Sequence, residues 1–248
     1  MTYNLIGDIH GRNTWRQLVR TDMINIFLGD YLDPYDLDNL QAGSTEYDNL
    51  QDIIRFKQQH PETILLLGNH DLHYLWDEHY SRYNDEHAER YAQLIREHLH
   101  LFQAAYAIGD RILVTHAGVT RPWLQLAGIS EQQSASQLAE AICQCMSDEG
   151  SRHLFSVAST FHPDDYCGMS STASPIWVRP HTLLDYGALT NHRGDTLYQV
   201  VGHTQIGQIM QFDSCVFVDC LGSEPQSLRI TFDAADEPIF TPLPAKIQ

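Results

Sequence analysis

The sequence predicts an α/β fold built on mixed sheets, and three observations carry the prediction. Four apolar runs of strand length each end abruptly in a polar turn rich in Asp, Asn or His. Stretches with helical periodicity follow several of these runs, as in βαβ units. The fourth run is joined to an apolar run before it by Gly109-Asp110, a hairpin signal that makes part of the sheet antiparallel.

In chain order, Tyr3-Asn4-Leu5-Ile6-Gly7 runs into Asp8-Ile9-His10-Gly11, and Trp15, Leu18 and Val19 follow at helical spacing. Ile24 to Gly29 runs into Asp30-Tyr31-Leu32-Asp33-Pro34, and the polar residues up to Gly43-Ser44 read as a surface loop. Glu46 to Gln59 sets Leu50, Ile53, Ile54 and Lys57 on one face of an amphipathic helix, which Pro61 closes. Thr63 to Gly68 is the third strand and leads to Asn69-His70-Asp71. Leu72 to Arg82 is rich in aromatics and His, and Asp85 to His98 predicts a helix with Tyr91, Leu94 and Ile95 on its stripe. Ala105 to Ile108 and Arg111 to Thr115 form the hairpin, the latter ending in His116.

From Gly118 to about Thr196 the pattern changes. Ser130 reads as an N-cap for a helix running to Gly150, and Ser156 to Ser174 has no clear period. Long insertions beside a site set substrate choice more often than chemistry, so residues 118–196 are read as a specificity insertion in a single domain spanning 1–248. Leu197 to Val201 then runs into Gly202-His203, Cys215 to Val218 ends at Asp219, and Ser227 to Asp233 alternates as the final strand.

At 248 residues the chain suits one sizeable core. A formal charge of −17 argues against a nucleic-acid backbone or an anionic membrane as partner, since both need a basic face. No apolar run approaches the ~20 residues a spanning helix needs, and the chain enters a strand at once with no secretory leader pattern. The five Cys lack disulfide-framework spacing, so we expect reduced thiols and a cytoplasmic protein.

The polar turns point to metals. In α/β sheets the residues just beyond strand ends converge on one crevice, and mixed oxygen and imidazole donors suit Mn, Fe or Zn better than Mg or Ca. Two divalent ions about 3.5–4 Å apart share a bridging ligand, a role suited to a carboxylate. Asp8, His10 and Asp30 suit the first ion; Asp30, Asn69, His116 and His203 suit the second. Water held between such ions loses a proton near neutral pH and attacks phosphorus in line. His70 is placed to protonate the leaving oxygen, with Asp33 or Asp71 to orient its ring. Each residue alone is an ordinary turn residue; their joint occurrence at five strand ends is the signal.

The set Gly7-Asp8-Ile9-His10, Gly29-Asp30-Tyr31-Leu32-Asp33, Gly68-Asn69-His70-Asp71, His116-Ala117 and Gly202-His203 resembles the calcineurin-like metallophosphoesterase superfamily. The resemblance implies a central β-sandwich of mixed sheets flanked by helices, with a dinuclear site at one edge. Within the superfamily the chain looks most like the branch of phosphoprotein phosphatases and symmetrical diadenosine tetraphosphatases. That likeness makes Asp33 the partner of His70. Gln205, where many members carry a second His, fits the same branch.

One departure matters. The branch carries Arg-Gly after the second aspartate to grip phosphate, and Pro34-Tyr35 stands there instead. Arg179 is the first candidate replacement, followed by Arg193 and Arg12, because an arginine fork suits phosphate oxygens. Trp177 either stacks on a base or packs the insertion; Asp219, at a strand end, could support the ligands from behind but reads first as an ordinary strand-end residue. His73, His79, His87, His98 and His100 read as exposed or structural.

The leading expectation is a phosphatase acting on phosphomonoesters such as phosphoserine or phosphothreonine, with Mn the first choice of metal and Fe or Zn next. A dinucleoside polyphosphate hydrolase or a phosphodiesterase is the second reading. A non-catalytic scaffold is the third, disfavoured because all six ligands and His70 are kept.

Overall fold

The computed structural model describes residues 1–35, 45–156 and 168–246. Most of the loop expected up to Ser44 and much of the aperiodic stretch from Ser156 to Ser174 therefore lie outside the described residues. The chain carries two mixed sheets with helices, and it divides into two compact units.

The first unit comprises Met1–Gln103, Gln205–Ile209 and Val218–Gln248. Its sheet contains β1 (Tyr3–Ile6), β2 (Ile24–Phe27), β3 (Ile64–Leu66) and β4 (Phe102–Gln103), all parallel in that order. Further strands, β11 (Gln226–Phe232) and β12 (Pro238–Pro244), extend it antiparallel beyond β1. The parallel strands are buried on both faces: Leu5, Ile6, Ile26, Phe27, Leu65 and Leu66 are fully buried, and the one polar pair, Asn4 and Asn25, is hydrogen-bonded. The first crossover is α1 (Trp15–Leu18), the second α2 (Glu46–Gln59). Trp15, Phe27 and Phe56 meet edge to face, Trp15 lying 5.7 Å from each of the other two, and the Trp15 indole donates to Asn49.

The helix α2 has the predicted bounds, with Thr45 and Asp48 capping each other's backbone N–H. The ligand turn after β3 is itself helical: α3 runs Asn69–Trp76, where the sequence showed only an aromatic segment. The next helix, α4 (Ala88–Glu97), begins three residues later than expected. The unpredicted strand β12 contains Pro238, Pro242 and Pro244. Proline is tolerated there because β12 is an edge strand, with one side needing no ladder donors.

The second unit comprises Ala104–Thr204 and Met210–Phe217. Its sheet has the order β5 (Ala105–Ile108), β6 (Ile112–Thr115), β8 (Thr196–Val201), β10 (Cys215–Phe217), β9 (Met210–Phe212), with β7 (Leu189–Thr190) paired to β8. The β5–β6 hairpin turns at Gly109, as the sequence indicated. β6 and β8 are parallel, so the residues after them emerge at one edge. Within the insertion lie α5 (Arg121–Leu126), α6 (Ala135–Ser147), a 3₁₀ stretch at Glu149–Phe155 and α7 (Pro180–Tyr186). Trp123 is wholly buried against Phe155, its indole donating to the Leu154 carbonyl. Buried Gln199 on β8 ties α5 and α7 to the sheet by bonding Val119 through both amide ends and donating to Gly187.

The expected cap at Ser130 is displaced to Ser134. Ser134 Oγ accepts from Gln137 N, and Gln137 Oε1 accepts from Ser134 N, a reciprocal capping box that Ser130 does not form. Ser134→Ala is expected to lower stability by ~1 kcal/mol, the usual worth of such a cap. Urea unfolding followed by circular dichroism measures it, and Ser130→Ala serves as the silent comparison.

Candidate metal centre

In the first unit, β1, β2 and β3 run parallel and their C-terminal ends deliver Asp8, Asp30 and Asn69 to one edge. Asp8, His10 and Asp30 are buried, and their ligand atoms lie within 4.8 Å of one another. The turn is tied by backbone bonds from His10 N to the Asp30 carbonyl (2.6 Å) and from Gly11 N to the Tyr31 carbonyl (2.9 Å).

The tautomer of His10 follows from its neighbours. Its Nδ1 stands 2.9 Å from the Leu32 carbonyl and 3.0 Å from that of Asp33, so Nδ1 carries the proton. Nε2 is then a bare lone pair, 3.6 Å from Asp30 Oδ2. Burial pushes the His10 pKa down to about 4, against the opposing pull of Asp30, so the ring is neutral at pH 7. Two acceptors face each other in a buried site, which is the donor set a divalent cation fits.

Asp30 is held from its other side. Its Oδ1 accepts His70 N at the first turn of α3 (2.9 Å), at the positive end of that helix. Asp71 does not orient His70. Its carboxylate accepts from Gly68 N (2.9 Å), Asp30 N (2.8 Å) and Tyr31 N (2.9 Å). Only glycine fits at position 68, where a Cβ would stand 2.0 Å from Asp30 Oδ1.

His70 Nδ1 bonds Asp33 Oδ2 at 2.7 Å, leaving Nε2 as the atom that can give a proton. Burial works against the charged ring, but the Asp30 charge and the Asp33 hydrogen bond outweigh it and raise the His70 pKa. Asp33 resists burial in the same way. The bond from His70 and the proximity of His73 keep its carboxyl below the usual range. Tyr74 donates its hydroxyl to Asp33 Oδ1.

Three residues near this group, His73, Tyr35 and Asp219, were not among the expected site residues. His73 is buried with Nε2 2.9 Å from Asp33 Oδ2, though not aligned as a hydrogen bond. It sits one helical turn after His70, a signal visible only once α3 is known to be a helix. Tyr35 presents its ring edge to His10 at 4.6 Å. Asp219 is buried, with its backbone against Gly7 and its charge felt at Tyr35. Arg12 is buried too, close enough to disfavour the charged form of His10 and packed at Gly222.

In the second unit, His116 follows β6 and His203 follows β8, and their rings lie 5.1 Å apart. His203 Nε2 lies 3.0 Å from the Trp177 carbonyl, which would make Nδ1 the donor atom toward a metal. Arg179 joins them, donating to Thr204 Oγ1 at 3.1 Å. Trp177 is buried with its ring 5.7 Å from His203, so it packs the insertion rather than offering a face to a base.

Arg193 lies in a turn ahead of β8. Asn191-His192-Arg193-Gly194 is a hairpin turn organised by the Asn191 side chain, which accepts from Arg193 N and Asp195 N. The exposed Arg193 precedes β8 whereas His203 follows it, so the strand separates them by about 20 Å.

The sequence model of the calcineurin-like phosphoesterases matches residues 1–206, and the chain belongs to that family. No curated protein matches the sequence. A 2.05 Å crystal structure from Staphylococcus aureus, described as a 5'-nucleotidase in complex with alpha-ketoglutarate, aligns with a TM-score of 0.42 and 12% identity. The alignment covers 100% of this chain and 54% of that one, so the chain spans about half its length. So distant a likeness says nothing about chemistry. Among the described residues no helix is long and apolar enough to cross a membrane.

Manganese added to metal-stripped protein is expected to raise the melting temperature, since a ligand at 100 times its Kd adds ~2.7 kcal/mol. Asp30→Asn should shrink that rise, and Gly68→Ala should do the same by displacing the Asp30 carboxylate. Calorimetric scans with and without metal decide it; an undiminished rise in both variants would place the metal elsewhere.

Proposed function

We propose that the chain hydrolyses phosphomonoesters, phosphoserine and phosphothreonine among them, at a dinuclear centre. The observation that carries this reading is the Asp33–His70 pair, a proton donor held at 2.7 Å beside the His10 and Asp30 ligands. Asp8, His10 and Asp30 would hold one ion; Asp30, Asn69, His116 and His203 are proposed for the other, with Mn preferred over Fe or Zn. Bound there, the metals supply Lewis acidity and an acidified water.

The remaining steps belong to the chain's own side chains. Asp33 accepts the His70 Nδ1–H, and the doubly protonated ring delivers its Nε2 proton to the leaving oxygen, becoming the neutral Nδ1–H tautomer. Because Asp33 is itself anchored by Tyr74, the imidazole is held in place before substrate arrives. Arg12 and Arg179 are proposed to grip phosphate oxygens, and residues 118–196 to select the substrate. No membrane surface or nucleic-acid backbone is needed as partner.

Stripped protein reloaded with Mn²⁺ is to be assayed on p-nitrophenyl phosphate, bis-p-nitrophenyl phosphate and diadenosine tetraphosphate together. Turnover of the monoester alone supports the reading. Preference for either of the others moves the substrate class to diesters or dinucleotides and leaves the centre in place. His70→Ala should lower kcat by ~10²–10⁴, the usual worth of a positioned acid, and lower it more for phenyl phosphate than for the better-leaving p-nitrophenyl ester. Metal content should be retained in that variant; its loss would reassign His70 as a ligand.

A further inference from the structure

Among the described residues Arg82 has an unusual position. It follows α3 in a loop and adopts a left-handed φ of 70°, where a non-glycine residue costs about 1 kcal/mol or more. That backbone carries its guanidinium over the Tyr35 ring, 3.9 Å from the centroid, and lets Nη1 donate to the Pro34 carbonyl at 3.3 Å. Tyr35 in turn stands edge-on to His10 at 4.6 Å and to His70 at 6.5 Å. The guanidinium therefore lies no further from the His10 imidazole than those two contacts laid end to end. A tetrahedral phosphoryl group with its hydrogen bonds spans such a gap.

The charge arrangement points the same way. The chain has 32 acidic side chains against 15 Lys and Arg, and Arg16, Arg55 and Arg96 are each paired with a carboxylate. Arg82 is not: its contacts among the described residues are the Tyr35 ring and one carbonyl. An arginine lying over an aromatic ring keeps its edge N–H groups available, and four of its five donors remain for an anion. Tyr35 is half exposed, so the pair stands at the mouth of the site and is reachable by an incoming ester.

We propose that Arg82, carried on the Tyr35 ring, grips a phosphate oxygen of the substrate beside His10 and His70. The assignment rests on the phosphomonoesterase reading for its substrate class. It makes Tyr35 a positioning residue, acting through its ring and not its hydroxyl.

The test is titration calorimetry of Mn²⁺-loaded protein with inorganic phosphate, run beside p-nitrophenyl phosphate kinetics. Arg82→Ala should weaken phosphate binding and raise KM by about tenfold or more, the worth of a charge-assisted hydrogen bond, with kcat changed less. Arg82→Lys should recover only part, because the fork is lost. Tyr35→Phe should behave as wild type and Tyr35→Ala as Arg82→Ala, all with metal content and melting temperature kept. Equal phosphate affinity in wild type and Arg82→Ala overturns the assignment, as does a loss that merely follows metal loss. Failure of the wild type to hydrolyse any phosphoester overturns the reading of function instead, and calorimetry then still decides whether Arg82 holds phosphate. A wild type that binds no phosphate overturns the assignment as well.

Discussion

The candidate metal centre of the first unit depends on an exchange of carboxylates between two turns. Asp71, at the start of α3, reaches back to accept Asp30 N and Tyr31 N from the turn after β2. Asp30 reaches forward to accept His70 N from α3. Both carboxylates are almost wholly buried, where an unsolvated charge is tolerable only if several N–H donors point at it. Each turn therefore satisfies the other, and neither can shift alone. The Tyr31 hydroxyl adds a third tie, donating to the Leu66 carbonyl on β3. Asp30, Asn69 and His70 thus belong to one rigid knot, and Asp33 follows three residues after Asp30.

The same knot explains where the backbone is strained. Eight described residues other than glycine have positive φ, and His10, Asp30, Asp33 and His203 are half of them. Glycine would enter that region freely, but a glycine carries no ligand. Aspartate and histidine are among the side chains that enter it with least difficulty. A left-handed residue after a strand turns its side chain sharply out of the strand's alternation. The cost, about 1–3 kcal/mol per residue, is met by neighbouring bonds such as His10 N to the Asp30 carbonyl. Glycine is kept where the close approach is of backbone: a Cβ at Gly29 would stand 2.4 Å from Gly68 N.

This division decides what the sequence could show. The strands and ligand turns were legible because burial on both faces forces apolar runs, and the chemistry forces Asp, Asn and His at their ends. Helix α2 was legible through its capping and amphipathic pattern. Strand β12 was not, because proline argues against a strand unless the strand is known to be an edge. The start of α6 was missed because Ser130 and Ser134 both stand three residues before a Gln, and only the folded backbone chooses between them. Arg82 and Tyr35 carry no motif at all: they meet across 47 positions through one left-handed residue. The turn at Asn191 was equally hidden, because only the folded backbone shows its side chain accepting from Arg193 N and Asp195 N.

Charge accounting within the first unit supplies an argument for metal that is independent of any family pattern. Asp8, Asp30, Asp33, Asp71 and Asp219 are buried, while Arg12 is the one buried Arg or Lys among the described residues. Asp71 is offset by three backbone N–H groups, and Asp33 by His70 and Tyr74. Asp30 accepts His70 N and stands beside two imidazoles: His70, whose charged form it favours, and His10, which burial holds neutral. The His10 proton sits on Nδ1, turned to two carbonyls, so what the ring presents to Asp30 is electron density rather than charge. A bare imidazole nitrogen facing a buried carboxylate is an unfavourable contact in itself, and Asp8 lies in the same group. A divalent cation reverses that balance, because each of the three groups then becomes a favourable contact. The neutrality of His10 is therefore what suits it to metal binding: a protonated ring would have neutralised Asp30 and left the cation nothing to do.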